Sequence, residues 1–177
     1  MLVALLLPVL AACAHAPARP AVELPPLRLQ PAALGHALSA QQRLHFSFGA
    51  HERDLDALLE ADAVQVRLLV QAMGQVGVRL FWDGVELKQQ RAPWLPPQVR
   101  AERVLDDLQF ALWPAAAIRS ALPPEWSLRE TGQVRELVRD GHVWLSVSED
   151  DNGLVHLDNR ADGYRLEIES AGDGMAQ

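Results

Sequence analysis

The sequence has only one cysteine, Cys13, in 177 residues. A single cysteine has no partner for an intrachain disulfide, and no second thiolate is present to complete a zinc site. The spacing of the histidines places no pair as metal ligands on one helix face. Histidine occurs six times, at positions 15, 36, 45, 51, 142 and 156. We therefore expect no disulfide framework, no bound metal and no cofactor.

Basic residues are also scarce. The chain has 16 Lys and Arg against 23 Asp and Glu, which gives a net charge of −7. Such a chain offers no basic surface to neutralise phosphates, so nucleic acid is not an expected partner. The sequence contains no Gly-x-Ser-x-Gly motif, no phosphate-binding glycine loop and no dinucleotide fingerprint. We do not expect an enzyme, although a catalytic triad has no fixed spacing.

What the sequence has in excess is apolar residues, 49% of the chain. The first twelve are an apolar stretch ending in small residues, which is typical of an export signal and too short to span a bilayer. The stretch ends in Leu10-Ala11-Ala12-Cys13 and resembles a bacterial lipobox, in which the cysteine is acylated and becomes the mature N-terminus. The alternative is an ordinary secretory signal with a cysteine near the cleavage site.

The residues after Cys13 extend this expectation. By resemblance to enterobacterial lipoproteins, Ala14 in place of Asp favours the outer membrane of a Gram-negative bacterium, with the protein on its periplasmic face. Residues 13–26 are rich in Ala and Pro and are predicted to form an extended tether. Several acyl chains on Cys13 would make membrane anchoring nearly permanent.

A hairpin is predicted at the centre of the chain. Residues 64–72 and 76–82 both alternate with period two, and they flank Met73-Gly74-Gln75. Hairpin tips usually carry Asn, Asp or Gly. Two interpretations of Met73 remain open: its side chain folds back onto the sheet as a gap filler, or it is held outward to contact lipid or an apolar partner.

The fold class is predicted as mainly β. Short strands joined by tight turns indicate a single antiparallel sheet that curls into a half-open barrel over residues 27–171. About eleven strands are predicted, at residues 27–30, 42–49, 52–61, 64–72, 76–82, 85–91, 126–130, 133–139, 142–149, 154–159 and 164–170.

A helical insert at residues 98–122 interrupts the strands. Its first helix is amphipathic over residues 99–113, and residues 114–122 form a second, shorter helix. The apolar face consists of Ala101, Val104, Leu105, Leu108, Ala111 and Leu112. The polar face consists of Glu102, Arg103, Asp106 and Asp107. We expect this insert to cover the open mouth of the barrel as a lid.

Several strands are apolar on both faces, so the interior of the curled sheet is either filled by side chains or holds an apolar cavity for one ligand. Strand pattern does not report interior volume, and both alternatives remain open. The candidate cavity residues are Phe46, Phe48, Val66, Leu68, Val70, Val78, Leu80, Trp82, Val104, Leu108, Leu112, Val143, Leu145 and Leu166.

The order of these features resembles LolB, the outer-membrane lipoprotein receptor. The lipobox, the Pro-rich tether, the Met-tipped hairpin, the helical insert ending in Trp113-Pro114 and the closing residues 159–168 carry the resemblance. More closely, the chain resembles an uncharacterised LolB-like lipoprotein family, often encoded beside aryl polyene genes. The resemblance implies an eleven-stranded half-open barrel with a helical lid and an acyl-binding cavity. It also places Met73 where LolB has an exposed leucine that helps membrane insertion.

The expected function is that of a monomeric, lipid-anchored carrier or acceptor of acyl chains or lipidated cargo. The resemblance adds a LolA-like periplasmic carrier as a partner. An alternative is a structural or assembly lipoprotein without a ligand cavity, which binds a protein through an exposed strand edge at residues 85–91.

Overall fold

A computed structural model describes residues 22–95 and 100–171. A 3-10 turn at Pro31–Leu34 precedes the first strand. The strands are β1 (Leu38–Phe48), β2 (His51–Ala61), β3 (Val66–Ala72), β4 (Gln75–Trp82), β5 (Leu87–Arg91), β6 (Ser127–Thr131), β7 (Val134–Arg139), β8 (His142–Glu149), β9 (Val155–Asn159) and β10 (Tyr164–Ala171). The helices are α1 (Ala101–Leu112) and α2 (Ala115–Ala121), between β5 and β6.

All ten strands belong to one antiparallel sheet, in the order β5-β4-β3-β2-β1-β10-β9-β8-β7-β6. The predictions of a mainly β fold and of a helical insert after the central hairpin are confirmed. Among the described residues the edge strands β5 and β6 do not pair, so the sheet is not closed. The predicted central hairpin is present, but its turn is one residue shorter than predicted, since Ala72 pairs with Gln75 across Met73-Gly74.

The open sheet curves around α1. Helix α1 contacts β4 and β5 on one flank, and Arg135 of β7 donates hydrogen bonds to the carbonyls of Phe110 and Trp113 on the other. In a flat sheet β4 and β7 would lie about 34 Å apart at the usual strand spacing. A 12-residue helix is only about 18 Å long. The sheet reaches both flanks of α1 because it bends.

The hairpin turns define two ends of the sheet. The Met73 end carries the β1–β2, β3–β4 and β9–β10 turns, and the Val64 end carries the β2–β3 and β4–β5 turns. Helix α1 starts at the Met73 end, because Arg100 and Arg103 lie 3.6 Å and 3.7 Å from Asp162 in the β9–β10 turn. At the Val64 end, Asp62 and Asp83 each accept hydrogen bonds from backbone N–H groups two and three residues on, which closes two similar turns.

Residues 22–30, here called the N-terminal segment, lie along α1 and outside the sheet. The prediction of a strand at residues 27–30 is wrong, and the sheet has ten strands instead of eleven. Arg28 has φ 47, which a strand residue does not adopt. Leu24, assigned to the tether from sequence, is buried at 2% exposure. The packed part of the chain therefore begins before residue 27.

Side chains of α1 satisfy the backbone of the N-terminal segment. The Gln109 side chain accepts a hydrogen bond from the Leu29 N–H at 2.9 Å and donates one to the Leu29 carbonyl at 2.8 Å. Asp106 accepts a hydrogen bond from the Leu27 N–H, and Arg103 donates one to the Leu24 carbonyl. Buried backbone groups need hydrogen-bond partners. In the N-terminal segment, polar side chains of α1 supply the partners that a neighbouring strand would supply in a sheet.

The predicted apolar face of α1 does turn inward, since Ala101 and Leu105 are buried, but the predicted polar face is not left to solvent. Arg103, Asp106 and Asp107 of that face are also buried. The apolar residues Val104 and Leu108 are only partly buried. The physical reason is the N-terminal segment, which covers the polar side of the helix and uses its hydrogen-bonding groups.

Candidate functional site: an apolar pocket between α1 and the sheet

A pocket of about 140 Å³ lies between α1 and the concave face of the sheet. Strands β1 to β4, β9 and β10 form its floor and walls, and α1 forms its roof. Paired positions on neighbouring strands build the floor, because side chains of directly opposed residues point to the same face. One such row runs through Arg53, Phe46, Leu166 and Leu157.

The structure brings together part of the predicted cavity set. Eight of its residues line the pocket: Phe46, Leu68, Val70, Val78, Val104, Leu108, Leu112 and Leu166. Six lie elsewhere: Phe48, Val66, Leu80, Trp82, Val143 and Leu145. Val143 and Leu145 belong to β8, beyond the part of the sheet that the pocket covers. The Trp82 indole donates a hydrogen bond to the Leu29 carbonyl, so it packs against the N-terminal segment instead.

The roof of the pocket is an incompletely covered apolar stripe on α1. Val104, Leu108, Ala111 and Leu112 are apolar, line the pocket and stay only partly buried. Opposite them Leu55 and other apolar residues of the sheet are also only partly buried. Apolar side chains that face each other without closing the gap leave area that an apolar ligand can remove from water.

Sequence analysis missed further residues of the floor. Leu44, Leu55 and Ile168 line the pocket, and they form one row across β2, β1 and β10. Leu44 and Ile168 alternate in phase with the predicted cavity residues Phe46 and Leu166 on the same strands. Leu55 lies on β2, where no cavity residue was predicted.

Polar groups occur at few places around the pocket. Arg53 and Arg100 line it and are exposed, while Arg103 and Asp107 line it and are buried. Arg103 lies 3.6 Å from Asp106 and 3.7 Å from Asp162 in salt-bridge geometry. Burial of Asp107 could not be predicted from the sequence, because helical periodicity places this residue on the polar face of α1.

Asp107 joins α1 to β10. Its Oδ2 accepts a hydrogen bond from the Tyr164 hydroxyl, which pairs helix and sheet directly beside the pocket. Burial raises the pKa of Asp107 to about 7, against the opposing effects of the Tyr164 hydrogen bond and the Arg103 charge. Burial and the neighbouring Asp107 carboxylate also raise the pKa of Tyr164 well above its usual value.

Met73 lies at the tip of the β3–β4 hairpin and is 92% exposed. Its side chain therefore does not fold back onto the sheet. Met73 and Gly74 have φ 48 and φ 75, and positive φ at both central residues is the signature of a type I′ turn. Such a turn prefers Asn or Gly at the first position, so Met there carries a local backbone cost. Despite this backbone cost, the turn exposes the apolar side chain of Met73 to solvent.

Several expectations concern parts of the chain outside the described residues. These are the signal peptide at residues 1–12, the lipidation site Cys13, the tether up to residue 21 and the start of the insert at residues 98 and 99. Within residues 22–95 and 100–171, no three His, Cys, Asp or Glu side chains are grouped as a metal site. In the same ranges, no helix combines the length and apolar character needed to cross a bilayer.

Sequence comparison places the chain in a family. A family model described as "Protein of unknown function (DUF3261)" matches residues 39–172. The chain belongs to this family. The family match covers both helices, the pocket and all ten strands except the first residue of β1, whereas the N-terminal segment precedes it. None of the curated proteins matches the chain in sequence. The family description names no ligand and no activity, and it carries no link to LolB.

Proposed function

We propose that this protein is a lipid-anchored lipoprotein of the outer membrane that binds acyl chains or lipidated cargo in the pocket under α1 and helps to insert them into the membrane. The observation that carries this proposal is the apolar stripe of α1 facing a gap in the core. Val104, Leu108 and Leu112 stay partly exposed there, although the same helix buries three charged side chains. A sheet curved around a covering helix is also what a LolB-like half-open barrel with a lid would require.

The size of the pocket limits what it holds at once. At about 140 Å³ it resembles the cavity of roughly 150 Å³ that accepts one benzene molecule in a protein core. Typical ligand pockets measure about 300–1,000 Å³. The pocket therefore takes a ring or a short stretch of chain as it stands, and a complete acyl chain requires α1 to move away from the sheet.

The start of the N-terminal segment and the Met73 tip lie at the same end of the sheet. Arg103 near the start of α1 binds the Leu24 carbonyl, while Gln30 at the other end of the segment binds the Gly84 carbonyl. The N-terminal segment therefore runs from the Met73 end to the Val64 end. A chain anchored through Cys13 would enter at the Met73 end, so anchor and apolar tip would face the same bilayer.

Ligand binding is tested by filling the pocket. Leu108→Trp places a larger side chain in the gap, and we expect it to reduce affinity for a fluorescent fatty acid by at least about tenfold, because the ligand and the indole compete for the same space. Leu58→Trp is the matched control, since Leu58 is 44% exposed and does not line the pocket. The measurement is a titration of the protein without its signal peptide, with thermal melts to verify folding.

Absence of fatty-acid binding by the unaltered protein, with no lipid found by native mass spectrometry after mild extraction, would contradict this proposal. That result would favour the alternative function, a structural or assembly lipoprotein that binds a protein partner through a strand edge. Strand β5 is an edge of the sheet and its central residues are exposed, so a protein partner could add a strand there. Crosslinking that returns one protein and no lipid would support that function.

A further inference from the structure

Asp107 is anomalous for a pocket that is otherwise apolar. It lines the pocket and is buried at 4% exposure. Within the part of the chain that the structure describes, its Oδ1 has no hydrogen-bond partner. Its other oxygen accepts the Tyr164 hydroxyl. A buried carboxyl oxygen without a partner is costly, so its presence beside a cavity needs a physical explanation.

Structural pairing does not supply that explanation. The buried cation nearest in sequence, Arg103, lies within ion-pair distance of Asp106 and Asp162 and donates a hydrogen bond to the Leu24 carbonyl. Within the described residues its Nε also has no hydrogen-bond partner, so Arg103 does not satisfy Asp107 Oδ1. Asp106, the adjacent acid, has Arg28 and the Leu27 N–H as partners. Of the two buried acids on α1, only Asp107 keeps an oxygen without a partner. A structural contact between α1 and β10 would need only the oxygen that Tyr164 already occupies.

We propose that Asp107, with its other oxygen held by the Tyr164 hydroxyl, is a polar subsite of the pocket, which binds a hydroxyl group carried by an apolar ligand, with the hydroxyl donating its hydrogen bond to Asp107 Oδ1. This inference rests on the proposed ligand-binding function and adds a chemical class to it. The ligand has an apolar body that fills the gap under α1 and one neutral hydroxyl that reaches Asp107.

The charges around the subsite favour a neutral group. Arg100 and Arg103 disfavour a cationic ligand group, while Asp106 and Asp162 disfavour an anionic one. A hydroxyl can donate to the carboxylate and can also accept from the acid form. Burial brings the pKa of Asp107 to about 7, so both forms of this side chain occur near neutral pH.

The test uses small probes that match the pocket in size. Phenol and toluene differ only by hydroxyl against methyl, and cyclohexanol and methylcyclohexane repeat that difference without an aromatic ring. In a purely apolar cavity the hydroxyl loses its water and finds no partner, so toluene binds more tightly. We expect the unaltered protein to bind phenol at least as tightly as toluene, and cyclohexanol at least as tightly as methylcyclohexane, in ligand-observed NMR titrations.

Asp107→Leu removes the acceptor while keeping the size of the side chain. In this variant we expect the affinity for toluene to be at least about tenfold higher than the affinity for phenol. Tyr164→Phe is the second variant, because it also breaks the contact between α1 and β10 but leaves Asp107 in place. We expect it to keep the preference for the hydroxyl, which a merely structural role of the Asp107–Tyr164 pair would not produce.

The outcomes separate the subsite from the pocket. If toluene and methylcyclohexane bind but neither hydroxyl probe is favoured in the unaltered protein, the subsite is overturned and the apolar pocket stands. If none of the four probes binds, the proposed ligand-binding function fails together with the subsite. If the hydroxyl preference persists in Asp107→Leu, another group supplies the hydrogen bond and the assignment to Asp107 is overturned.

Discussion

At the scale of single residues, α1 shows how one helix carries buried polar side chains with different roles. Gln109 is fully buried and satisfies both backbone groups of Leu29. Asp106 is buried in an ion pair with Arg28. Within the described residues Asp107 has a single hydrogen-bond partner, the Tyr164 hydroxyl. The first two contacts hold the N-terminal segment, and the third leaves one carboxyl oxygen of a pocket-lining residue without a partner.

Asp107 makes stability depend on pH. Its pKa is raised by burial from 3.8 to about 7 in the folded protein, so between about pH 4 and 7 the native state binds more protons than the unfolded state. Stability therefore falls as pH rises through this window, by about 4 kcal/mol at most at 1.36 kcal/mol per pKa unit. Asp107→Asn, which stays neutral, should lack this loss.

Urea denaturation of both proteins at pH 4.5 and pH 8 measures the effect. We expect the stability of the unaltered protein relative to Asp107→Asn to fall by a few kcal/mol between the two pH values. Comparing the two proteins at each pH cancels the titration of the other carboxyl groups. An unchanged difference would mean that the carboxyl titrates alike in the folded and unfolded chains.

At the scale of secondary structure, local patterns predicted the sheet well. Period-two alternation located the central hairpin, and Asp-Gly pairs located turns such as Asp140-Gly141, where φ is 53 and 73. These signals work because a half-buried strand and a tight turn depend on residues close in sequence. Leu44 and Ile168 could have been added to the pocket from the same alternation.

Local patterns could not predict the N-terminal segment. Residues 27–30 have a strand-like apolar composition, but Leu27 and Leu29 find their hydrogen-bond partners on α1, about eighty residues away. The same contact buries polar side chains of the helix, Asp106 and Gln109. A polar face on a helix normally indicates solvent, and only tertiary structure reveals that Asp106 and Gln109 replace a neighbouring strand. The hydroxyl subsite escaped sequence analysis for the same reason.

The contact between the N-terminal segment and α1 is tested by Gln109→Leu. This change leaves the Leu29 N–H buried without an acceptor, while the Leu29 carbonyl keeps the Trp82 indole. We expect a loss of about 1–3 kcal/mol in the free energy of unfolding, the usual cost of an unsatisfied buried group. Hydrogen exchange should show reduced protection of the Leu29 amide.

A matched control lies one residue further along the segment. Gln30 donates an exposed hydrogen bond to the Gly84 carbonyl, and Gln30→Leu should change stability by no more than about 0.5 kcal/mol. Equal effects of the two substitutions would argue against a special role of Gln109 in holding the segment.

At the scale of the whole molecule, the curvature of the sheet and the direction of the N-terminal segment give the protein two unlike ends. The Met73 end carries an apolar tip and receives the chain from the proposed anchor. The Val64 end also carries exposed apolar side chains, Val64 at 70% and Val85 at 88%, but it lies opposite the end at which the N-terminal segment begins. Because the two ends differ, substitutions at Met73 and at Val64 can test which end meets the membrane.

Met73→Glu tests the orientation. The residue is 92% exposed, so the free energy of unfolding should change by less than about 0.5 kcal/mol. A charged tip resists entry into the acyl region of a bilayer, so we expect transfer of a fluorescent fatty acid from the lipid-anchored protein to phosphatidylcholine vesicles to slow by about tenfold, the effect of roughly 1.4 kcal/mol on the barrier. Met73→Leu, which keeps the tip apolar, should transfer the fatty acid at the rate of the unaltered protein.

Val64→Glu places the same charge at the opposite end and should leave transfer unchanged. If Val64→Glu slows transfer as much as Met73→Glu does, the protein does not meet the membrane through the Met73 end.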